Sequence, residues 1–423
     1  MAYLKAILFS LVVIFGLTEV SLRTFPTLIP VNLLINFQKD LRKNIAKKRK
    51  FQTIDDTLRY AENSEGPSVL TYKPYARIQY DYKDPGIVNT MQMDGLGFCN
   101  EPLNLYHQKN KFDVIAVGDS FTWCTTIEAT KTWPSQLAHI SGLSLYNLGL
   151  PGRGPHEYLA LIKRFALKKN PKMIIMAIYE GNDLGSIWTQ NQKQLDYSDA
   201  CLEVGLRICK GYSYLKNYVF GFWSYAFNFY VQASLKVVSV FHQGTFFSQQ
   251  ARPIYLSDGS FNHFQYSVRR TTHQVDFNPY HFDVDVPNWA KKLKEGILSL
   301  ELYEPILRDF VRLSREHKFI PVVIYLPTVP TAYMQYVQFK YEDQKLKEVL
   351  TFFNHAQTQY LMKKSNLLGC HFIDLTSALK LAAQKYEDDI LYFREHIHFT
   401  QKGNHIVAKA LAPQIQYLLN GRP

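Results

Sequence analysis

The sequence predicts an α/β protein with a central parallel sheet covered by helices on both faces. Short apolar runs of strand-forming residues alternate with segments of helical periodicity from Phe112 to Tyr179, and the alternation resumes from Pro287 to Leu419. Each apolar run is continuous, as expected of a parallel strand that is buried on both faces. Strands that alternate with helices specify a parallel sheet, because each helix crosses back over the sheet to start the next strand.

The length of the chain allows an insertion beside one large core. Its 423 residues, of which 47% are hydrophobic and 20% charged, suffice for one large core with an insertion or for two smaller cores. The predicted strands are 112–117, 143–147, 173–179, 320–325 and 370–375, and the predicted helices are 132–141, 155–168, 287–317, 343–364 and 401–419. Two shorter extended segments, 68–72 and 76–82, precede them. The residues between about 185 and 286 interrupt the pattern, so we expect an insertion there.

The predicted insertion is rich in aromatic side chains between Tyr212 and Phe247. Rings with few charges among them either fill a small core of their own or form a surface for sugars, acyl chains or lipid, because Tyr and Trp offer an apolar face and one polar tip. Both interpretations of this segment remain open.

The first predicted strand ends in a turn that contains a serine. After Gly118 the chain continues as Asp119, Ser120, Phe121 and Thr122. A serine on a strand-to-helix turn at the carboxyl edge of a parallel sheet has an exposed hydroxyl, and its own N–H points to the same place. This position favours a nucleophile. Gly-Asp-Ser is also a common turn that caps a helix, so the tripeptide alone leaves both interpretations open.

Three later segments favour the interpretation of this serine as a nucleophile. They are YNLGLPGRG at 146–154, YEGND at 179–183 and EHIHFTQKGN at 395–404. Together with the serine turn, and in this order, they resemble the SGNH (GDSL-type) esterase and acyl-hydrolase superfamily, whose four blocks are a GDS serine, a glycine, a GND asparagine and a late D-x-x-H. The match spans about residues 70 to 420. The resemblance implies a flavodoxin-like three-layer sandwich and a serine esterase that works through an acyl-enzyme.

The resemblance assigns a role to each matching residue. Ser120 would be the nucleophile and His398 the base that takes its proton. The backbone N–H groups of Ser120 and Gly152 and the side-chain amide of Asn182 would form the oxyanion hole. Glycine suits position 152 because the chain must approach the substrate there without a Cβ atom. We expect neither a cofactor nor a metal.

Glu395 departs from the superfamily pattern, which has aspartate three residues before the histidine. A glutamate can hold the imidazole tautomer through one carboxylate, so we predict Glu395 as the third member of a triad. If its longer side chain points elsewhere, a dyad of Ser120 and His398 remains, with a backbone carbonyl orienting the ring. His396 is the nearest competitor for the role of base.

Two acidic residues and a glycine cluster near these blocks have structural interpretations. Asp183 is expected to fix its loop by bonding backbone amides, and Asp119 to order the serine turn. The pattern G-x-x-G-x-G at 149–154 follows a strand, as in phosphate-binding loops, but neither a P-loop lysine nor a ribose-binding acid accompanies it. The stretch MQMDGLGFCNEP at 91–102 resembles the superfamily's N-x-x-G-F-R lead-in, with Cys99 at the arginine position, and predicts a loop against the active-site face.

The resemblance leaves the reaction partly open. Hydrolysis and acyl transfer share the first half-reaction, and an O-acyltransferase is the alternative to an esterase. The related O-acetyltransferases have a late D-x-H; here position 396 is histidine, which favours the esterase. A non-catalytic glycan-binding or assembly protein on a decayed esterase scaffold is a further alternative, because of Glu395. The predicted substrate is either an acylated small molecule or an O-acylated glycan. Such a glycan would belong to the cell envelope or be exported.

The N-terminal residues predict membrane attachment. Ala6 to Leu17 is almost wholly apolar, and extension to Leu22 gives the ~20 residues that cross a bilayer. No small-x-small cleavage site follows, which favours an uncleaved anchor at 1–24 over a signal peptide; a buried helix is the alternative. A basic juxtamembrane linker at 25–69 and the hydrolase-like domain at 70–423 complete the predicted organisation.

The net charge of +12 is concentrated near this apolar segment. The first fifty residues hold nine Lys and Arg against two acidic residues. A local basic run beside an apolar segment indicates anionic lipid headgroups, and no nucleic-acid-binding motif accompanies it. The positive-inside rule would keep the rest of the chain in the cytoplasm, whereas the resemblance to anchored enzymes of envelope glycans implies a catalytic domain on the extracytoplasmic side, which is our prediction.

The five cysteines show no spacing typical of metal ligands; they are Cys99, Cys124, Cys201, Cys209 and Cys370. Cys201 and Cys209 are close in sequence and could form a disulfide in an exported domain. Five reduced thiols are the alternative.

Overall fold

The computed structural model describes residues 2–29, 41, 45, 58–61, 69–80, 82–193, 224–226, 229–230, 254–255, 261–262, 264–270, 273–277, 283, 285–386 and 389–421. The chain divides into two compact units. The smaller comprises Met1–Thr57 and Lys193–Gln249, and the larger comprises Leu58–Gln192 and Gln250–Pro423.

The described strands and helices have the following bounds. The strands are β1 (Leu58–Ala61), β2 (Val69–Tyr72), β3 (Arg77–Gln79), β4 (Thr90–Gln92), β5 (Val114–Val117), β6 (Leu145–Asn147), β7 (Met173–Tyr179), β8 (Ile254–Tyr255), β9 (Phe261–Asn262), β10 (Tyr266–Arg269), β11 (Gln274–Asp276), β12 (Ile320–Leu326), β13 (Val337–Phe339) and β14 (His371–Asp374). The helices are α1 (Ala2–Thr24), α2 (Leu105–Gln108), α3 (Trp133–Ser141), α4 (Pro155–Leu161), α5 (Asp183–Lys193), α6 (Val286–Lys294), α7 (Tyr303–His317), α8 (Val329–Ala332), α9 (Asp343–Leu368), α10 (Thr376–Lys385) and α11 (Gln401–Asn420).

A parallel sheet forms the centre of the larger unit. In the described part of the chain its order is β6-β5-β7-β12-β14, and every neighbouring pair is parallel. All residues of β5 and β7 are buried, because helices cover both faces. The predicted α/β fold with a central parallel sheet is confirmed. The strand order is the flavodoxin-like 2-1-3-4-5, in which ligands bind at the carboxyl ends where the order reverses, between β5 and β7.

The predicted helix 287–317 was wrong in its continuity. The structure has two helices, α6 and α7, with Gly296 between them at a φ of +73°. That backbone conformation is readily adopted by glycine and ends a helix. Ser299 then accepts a hydrogen bond from the Glu301 N–H and begins the next helical turn.

The C-terminal part of the predicted insertion belongs to the larger unit. Strands β10 and β11 lie within it, and β10 pairs with β13 from the region beyond. Asp283 is buried and accepts a hydrogen bond from the Tyr179 hydroxyl at the end of β7, at 2.6 Å. Helix α10 was not predicted. Most of the aromatic segment 212–247 lies outside the described residues.

The smaller unit contains α1 and a few described residues of the insertion. Glu19 on α1 accepts hydrogen bonds from the Ser224 hydroxyl at 2.9 Å and from the Ala226 N–H at 2.7 Å. The Thr18 and Tyr230 hydroxyl oxygens lie 2.6 Å apart. Among the residues that the structure describes, no helix combines the length and the apolarity needed to span a membrane. The N-terminal anchor stays a prediction.

Candidate active site

Ser120 and His398 meet at the carboxyl edge of the sheet. Ser120 lies in the turn after β5, and His398 lies in the loop that leads into α11. The distance between His398 Nε2 and Ser120 Oγ is 2.7 Å. The Phe121 ring packs against the His398 imidazole with 4.8 Å between centroids, and His398 is buried. A hydroxyl in hydrogen-bond contact with an imidazole is the arrangement that activates a serine nucleophile.

A second histidine lies beside the first. His396 Nδ1 is 3.0 Å from His398 Nδ1, and His396 Nε2 is 2.8 Å from the Thr126 hydroxyl oxygen. His396 is fully buried, and the Tyr82 ring lies 4.7 Å from its own, centroid to centroid. The contacts therefore run from Ser120 through both imidazoles to Thr126.

Glu395 points away from this chain of contacts, which corrects its predicted place in the triad. Its carboxylate accepts a hydrogen bond from the Lys83 N–H at 2.9 Å. Its backbone N–H donates to Asp84 at 2.8 Å, and the Arg394 side chain donates to the other oxygen of Asp84 at 3.0 Å. The buried Asp84 thus fixes this part of the loop. The sequence offered only the turn-forming segment DYKDPG as a signal for that role.

The turn of the loop explains which side chain reaches His398. The Tyr392–Phe399 bridge closes the loop, and the Phe393 N–H donates to the His398 carbonyl at 2.8 Å. Ile397, between the two histidines, has a φ of +63°. This left-handed residue reverses the chain locally, so that the imidazoles on either side of it face each other.

Burial keeps both imidazoles neutral near pH 7. It lowers the pKa of His396 to about 4, although the negative charge of Asp84 acts in the opposite direction. Burial also lowers the pKa of His398 well below its usual range, and the neighbouring His396 lowers it further. A neutral His398 can accept a proton through its ring lone pair, as a general base requires.

The predicted oxyanion donors follow three neighbouring strands. Ser120 follows β5, Gly152 follows β6 and Asn182 follows β7, so all three belong to the same edge of the sheet. Gly152 has a φ of +67°, a conformation that a residue with a Cβ atom rarely adopts. Asn182 is exposed to solvent. Their roles remain proposals that rest on this placement.

Two buried aspartates support these turns, in the structural roles predicted for them. Asp119 accepts a hydrogen bond from the Phe121 N–H at 2.8 Å. Asp183 accepts from the Tyr179 N–H and from the Tyr158 hydroxyl, both at 2.8 Å. Burial raises the pKa of Asp119 to about 7, while hydrogen bonds from the Phe121 N–H and the Asn182 side chain lower it.

The glycine cluster after β6 serves close packing. A Cβ atom at Gly149 would come within 2.6 Å of the Trp123 backbone nitrogen. The Gly149 N–H donates to the Asn147 side chain at 2.8 Å, and the Gly154 N–H donates to Glu157 at 3.0 Å. These two N–H groups are therefore engaged within the protein, which leaves the phosphate-loop interpretation without support.

The loop at 91–102 contacts the active-site turns, as predicted. Asn100 exchanges two hydrogen bonds with the Asn147 backbone, both at 2.9 Å, and the Asn147 side chain donates to the Thr122 carbonyl at 2.8 Å. Sequence reasoning missed a disulfide here. Cys99 is bonded to Cys124, four residues after the nucleophile, with their Cα atoms 6.0 Å apart.

The other cysteines have no part in this bond. Cys201 and Cys209 lie outside the described residues, so their predicted disulfide stays a prediction, and Cys370 is a buried free thiol. The signal for Cys99 and Cys124 was their position, because both flank segments predicted to meet at the active-site face. Within the described ranges, no cluster of three or more His, Cys, Asp or Glu side chains could hold a metal ion.

Comparisons with known proteins found distant structural similarity. No family model and no curated protein sequence matches the chain. A protein of Desulfitobacterium hafniense DCB-2, described as lipolytic and of the G-D-S-L family, matches with a TM-score of 0.34 and 13% identity, over 71% of this chain and 97% of that one. A catalytic mutant of the acetylxylan esterase Axe2 from Geobacillus stearothermophilus matches with a TM-score of 0.35 and 10% identity, over 72% and 94%. LAE5, an α/β hydrolase from the metagenome of Lake Arreo, matches with a TM-score of 0.35 and 13% identity, over 73% and 96%.

Proposed function

We propose that the protein is a serine esterase that forms an acyl-enzyme at Ser120. The contact of 2.7 Å between Ser120 Oγ and His398 Nε2 is the observation that carries this proposal. Ser120 is partly exposed, whereas the base is buried and neutral. A neutral base behind an accessible hydroxyl is what attack on an ester carbonyl requires.

The steps of both half-reactions, acylation and deacylation, follow from these positions. Ser120 Oγ attacks the carbonyl carbon of the ester while its proton passes to His398 Nε2. The negative charge that develops on the carbonyl oxygen is stabilised by the N–H groups of Ser120 and Gly152 and by the Asn182 amide. The tetrahedral intermediate then collapses: the ester C–O bond breaks, and the leaving alkoxide takes the proton from His398. Water, activated by the same histidine, releases the acid and regenerates Ser120.

We propose an acylated small molecule or an O-acylated envelope or exported glycan as substrate, met on the extracytoplasmic side of a membrane. The Cys99–Cys124 disulfide supports this location, because disulfides persist in oxidising compartments and are rare in the cytosol. The apolar N-terminal helix and the basic segment after it support attachment to a membrane with anionic lipids.

An O-acyltransferase is the second candidate function, and the geometry of the histidine loop supports it. The side chain beside His398 Nδ1 comes from position 396, two residues earlier. That is the spacing of the D-x-H block of the related acetyltransferases, although a histidine takes the place of the aspartate. A transferase would share the acyl-enzyme and would pass the acyl group to a sugar hydroxyl instead of water.

A fluorophosphonate probe tests the shared first step, because it phosphonylates an activated serine and leaves ordinary serines unlabelled. Mass spectrometry of the full-length protein should find the label on Ser120. The variant Ser120→Ala should take up none and should lose hydrolysis of p-nitrophenyl acetate while keeping its circular dichroism spectrum. An unlabelled wild-type protein would favour the non-catalytic glycan-binding alternative. Once labelling is established, acyl transfer from p-nitrophenyl acetate to added oligosaccharides would distinguish the transferase from the esterase.

A further inference from the structure

We propose that His396 is the positioning residue of this site, a neutral imidazole that takes the place of the usual carboxylate and holds His398 in the tautomer that can accept the Ser120 proton. This inference rests on the proposed function and deepens it. The contacts that carry it are 2.7 Å from Ser120 Oγ to His398 Nε2, 3.0 Å between the two Nδ1 atoms and 2.8 Å from His396 Nε2 to Thr126 Oγ1.

The direction of the protons follows from the donors and acceptors available. A neutral imidazole carries one N–H and one lone pair. If His398 Nε2 accepts a hydrogen bond from Ser120, then His398 Nδ1 carries the N–H and donates a hydrogen bond to His396 Nδ1. His396 then carries its own proton on Nε2 and donates to the Thr126 hydroxyl oxygen. The opposite direction would place an N–H of His398 against Ser120, where it could not take the proton.

Thr126 is compatible with the productive direction, because it can accept from His396. Its hydroxyl oxygen can accept a hydrogen bond while its own proton points elsewhere, because the hydroxyl rotates. Its backbone is fixed by the Val88 N–H, which donates to the Thr126 carbonyl at 2.8 Å. The Cys99–Cys124 disulfide holds the same turn two residues earlier.

Two residues next to His396 have a strained backbone, one in contact with it in space and one beside it in the chain. Positive φ values occur at six described residues other than glycine, which are Tyr75, Thr126, Asn170, Lys318, Glu342 and Ile397. Only Thr126, at +55°, and Ile397, at +63°, are β-branched, and a β-branched residue is a genuine outlier in this region. Both are fully buried. Such strain persists where the surroundings fix it, and it concentrates at functional sites. Here the two strained residues are the contact partner and the chain neighbour of His396.

The groups around His396 favour its neutral form. The Tyr82 and Phe393 rings face His396, at centroid distances of 4.7 and 5.0 Å. The nearby carboxylates of Asp84 and Glu395 are engaged by Arg394 and by backbone N–H groups. Burial lowers the pKa of His396 to about 4, which keeps its Nδ1 lone pair available at neutral pH.

A neutral positioning residue has a measurable consequence. An imidazole fixes the tautomer of His398 but adds no negative charge beside the imidazolium that forms during the reaction. A carboxylate in the same place would add that charge and raise the pKa of His398, by about 1–3 units for an opposite charge at this range. The acidic limb of the pH–rate profile should therefore lie lower in this protein than in a variant with a carboxylate at position 396.

The test compares His396→Asn with His396→Asp, which have the same shape and differ in charge. The measurement is the second-order rate of fluorophosphonate labelling of Ser120 between pH 4 and 9, which needs no knowledge of the substrate. His396→Asn supplies a neutral acceptor and should keep the wild-type pH profile, whereas His396→Asp should move the acidic limb up by about 1 unit or more. His396→Ala should lose about 10-fold or more in rate.

Two further variants separate the competing explanations. Thr126→Val keeps the β-branched shape and removes the hydroxyl, so it should slow labelling. Glu395→Gln retains an acceptor for the Lys83 N–H and should leave rate and profile unchanged. Wild-type rates in His396→Ala, or equal profiles in the Asn and Asp variants, would overturn the role of His396 while Ser120 remains labelled. Failure to label the wild-type protein at any pH would overturn the proposed function together with this inference.

Discussion

His398 Nε2 lies 2.7 Å from Ser120 Oγ, although 278 residues separate the two along the chain. The first follows the last strand of the parallel sheet and the second follows its first strand, and the carboxyl edge of the sheet brings them together. The two residues therefore form a site only in the folded protein.

The variants His398→Ala and His396→Ala should lower kcat/KM by different amounts. Loss of His398 removes the group that takes the proton and should lower kcat/KM for p-nitrophenyl acetate by about 10²–10⁴-fold. Loss of His396 should have a smaller effect, because the base itself remains. If His396→Ala were the more damaging of the two, His396 would have to be the base.

Replacement of Asn182 by alanine should lower kcat by about 10²–10³-fold and change KM little, because an oxyanion donor acts mainly on the transition state. Steady-state kinetics with p-nitrophenyl acetate measure both constants. A change confined to KM would show that Asn182 contacts the ground state only. The circular dichroism spectrum serves as a control, since Asn182 also interacts with the buried Asp119.

The Cys99–Cys124 disulfide should stabilise the fold by about 2–4 kcal/mol, as is typical of disulfides that close loops of this size. It joins residues 25 apart in sequence. Guanidinium denaturation should give the same loss of unfolding free energy for Cys99→Ala, Cys124→Ala and the double variant, because any of them removes the bond. Added reductant should destabilise the wild-type protein and leave the double variant unchanged. Additive losses in the single variants would contradict the bond.

The contribution of the buried carboxyl groups Asp283 and Glu180 to stability should fall between about pH 4 and pH 8. Burial raises the pKa of Asp283 to about 8 and that of Glu180 to about 7, so the folded protein binds these protons more tightly than the unfolded chain does. Their contribution is present below the unfolded pKa and is lost as pH rises through the folded pKa, with a slope of at most about 1.4 kcal/mol per pH unit and group.

The variant Asp283→Asn isolates this effect, because its amide oxygen can still accept from the Tyr179 hydroxyl. Its unfolding free energy relative to wild type should rise steadily from pH 5 to pH 8, as measured by denaturation at each pH. A difference independent of pH would mean that Asp283 is ionised in the folded protein.

The full-length protein should remain in the membrane pellet after a carbonate wash, whereas a chain that begins near Thr53 should be soluble. An uncleaved anchor at residues 1–24 predicts this difference. A C-terminal reporter that is active only after export should be active, although the eight basic residues after the apolar segment resist translocation. An inactive reporter at normal protein levels would place Ser120 in the cytoplasm and would redirect the search to cytoplasmic esters and lipid precursors.

Local patterns account for the parts of the fold that the sequence predicted well. The prediction for strand 173–179 agrees with β7 at both ends, since its seven residues form one continuous buried run. The predicted helix 287–317 failed at Gly296, because amphipathic periodicity continues across a break that depends on one backbone torsion angle. Asp84, whose carboxylate fixes the loop near His396, had no pattern of its own, because its role depends on partners 310 and 311 residues away.

The sequence by itself therefore determined the α/β fold class and the likeness of the serine and histidine blocks to a known superfamily, because both depend on residues close together in the chain. Only the tertiary structure decided which group faces His398 Nδ1. The spacing favoured Glu395, but the left-handed turn at Ile397 directs His396 there, and Thr126, 270 residues away, holds its other nitrogen. A single φ angle and a distant hydroxyl made that choice, and neither leaves a periodic signal in the sequence.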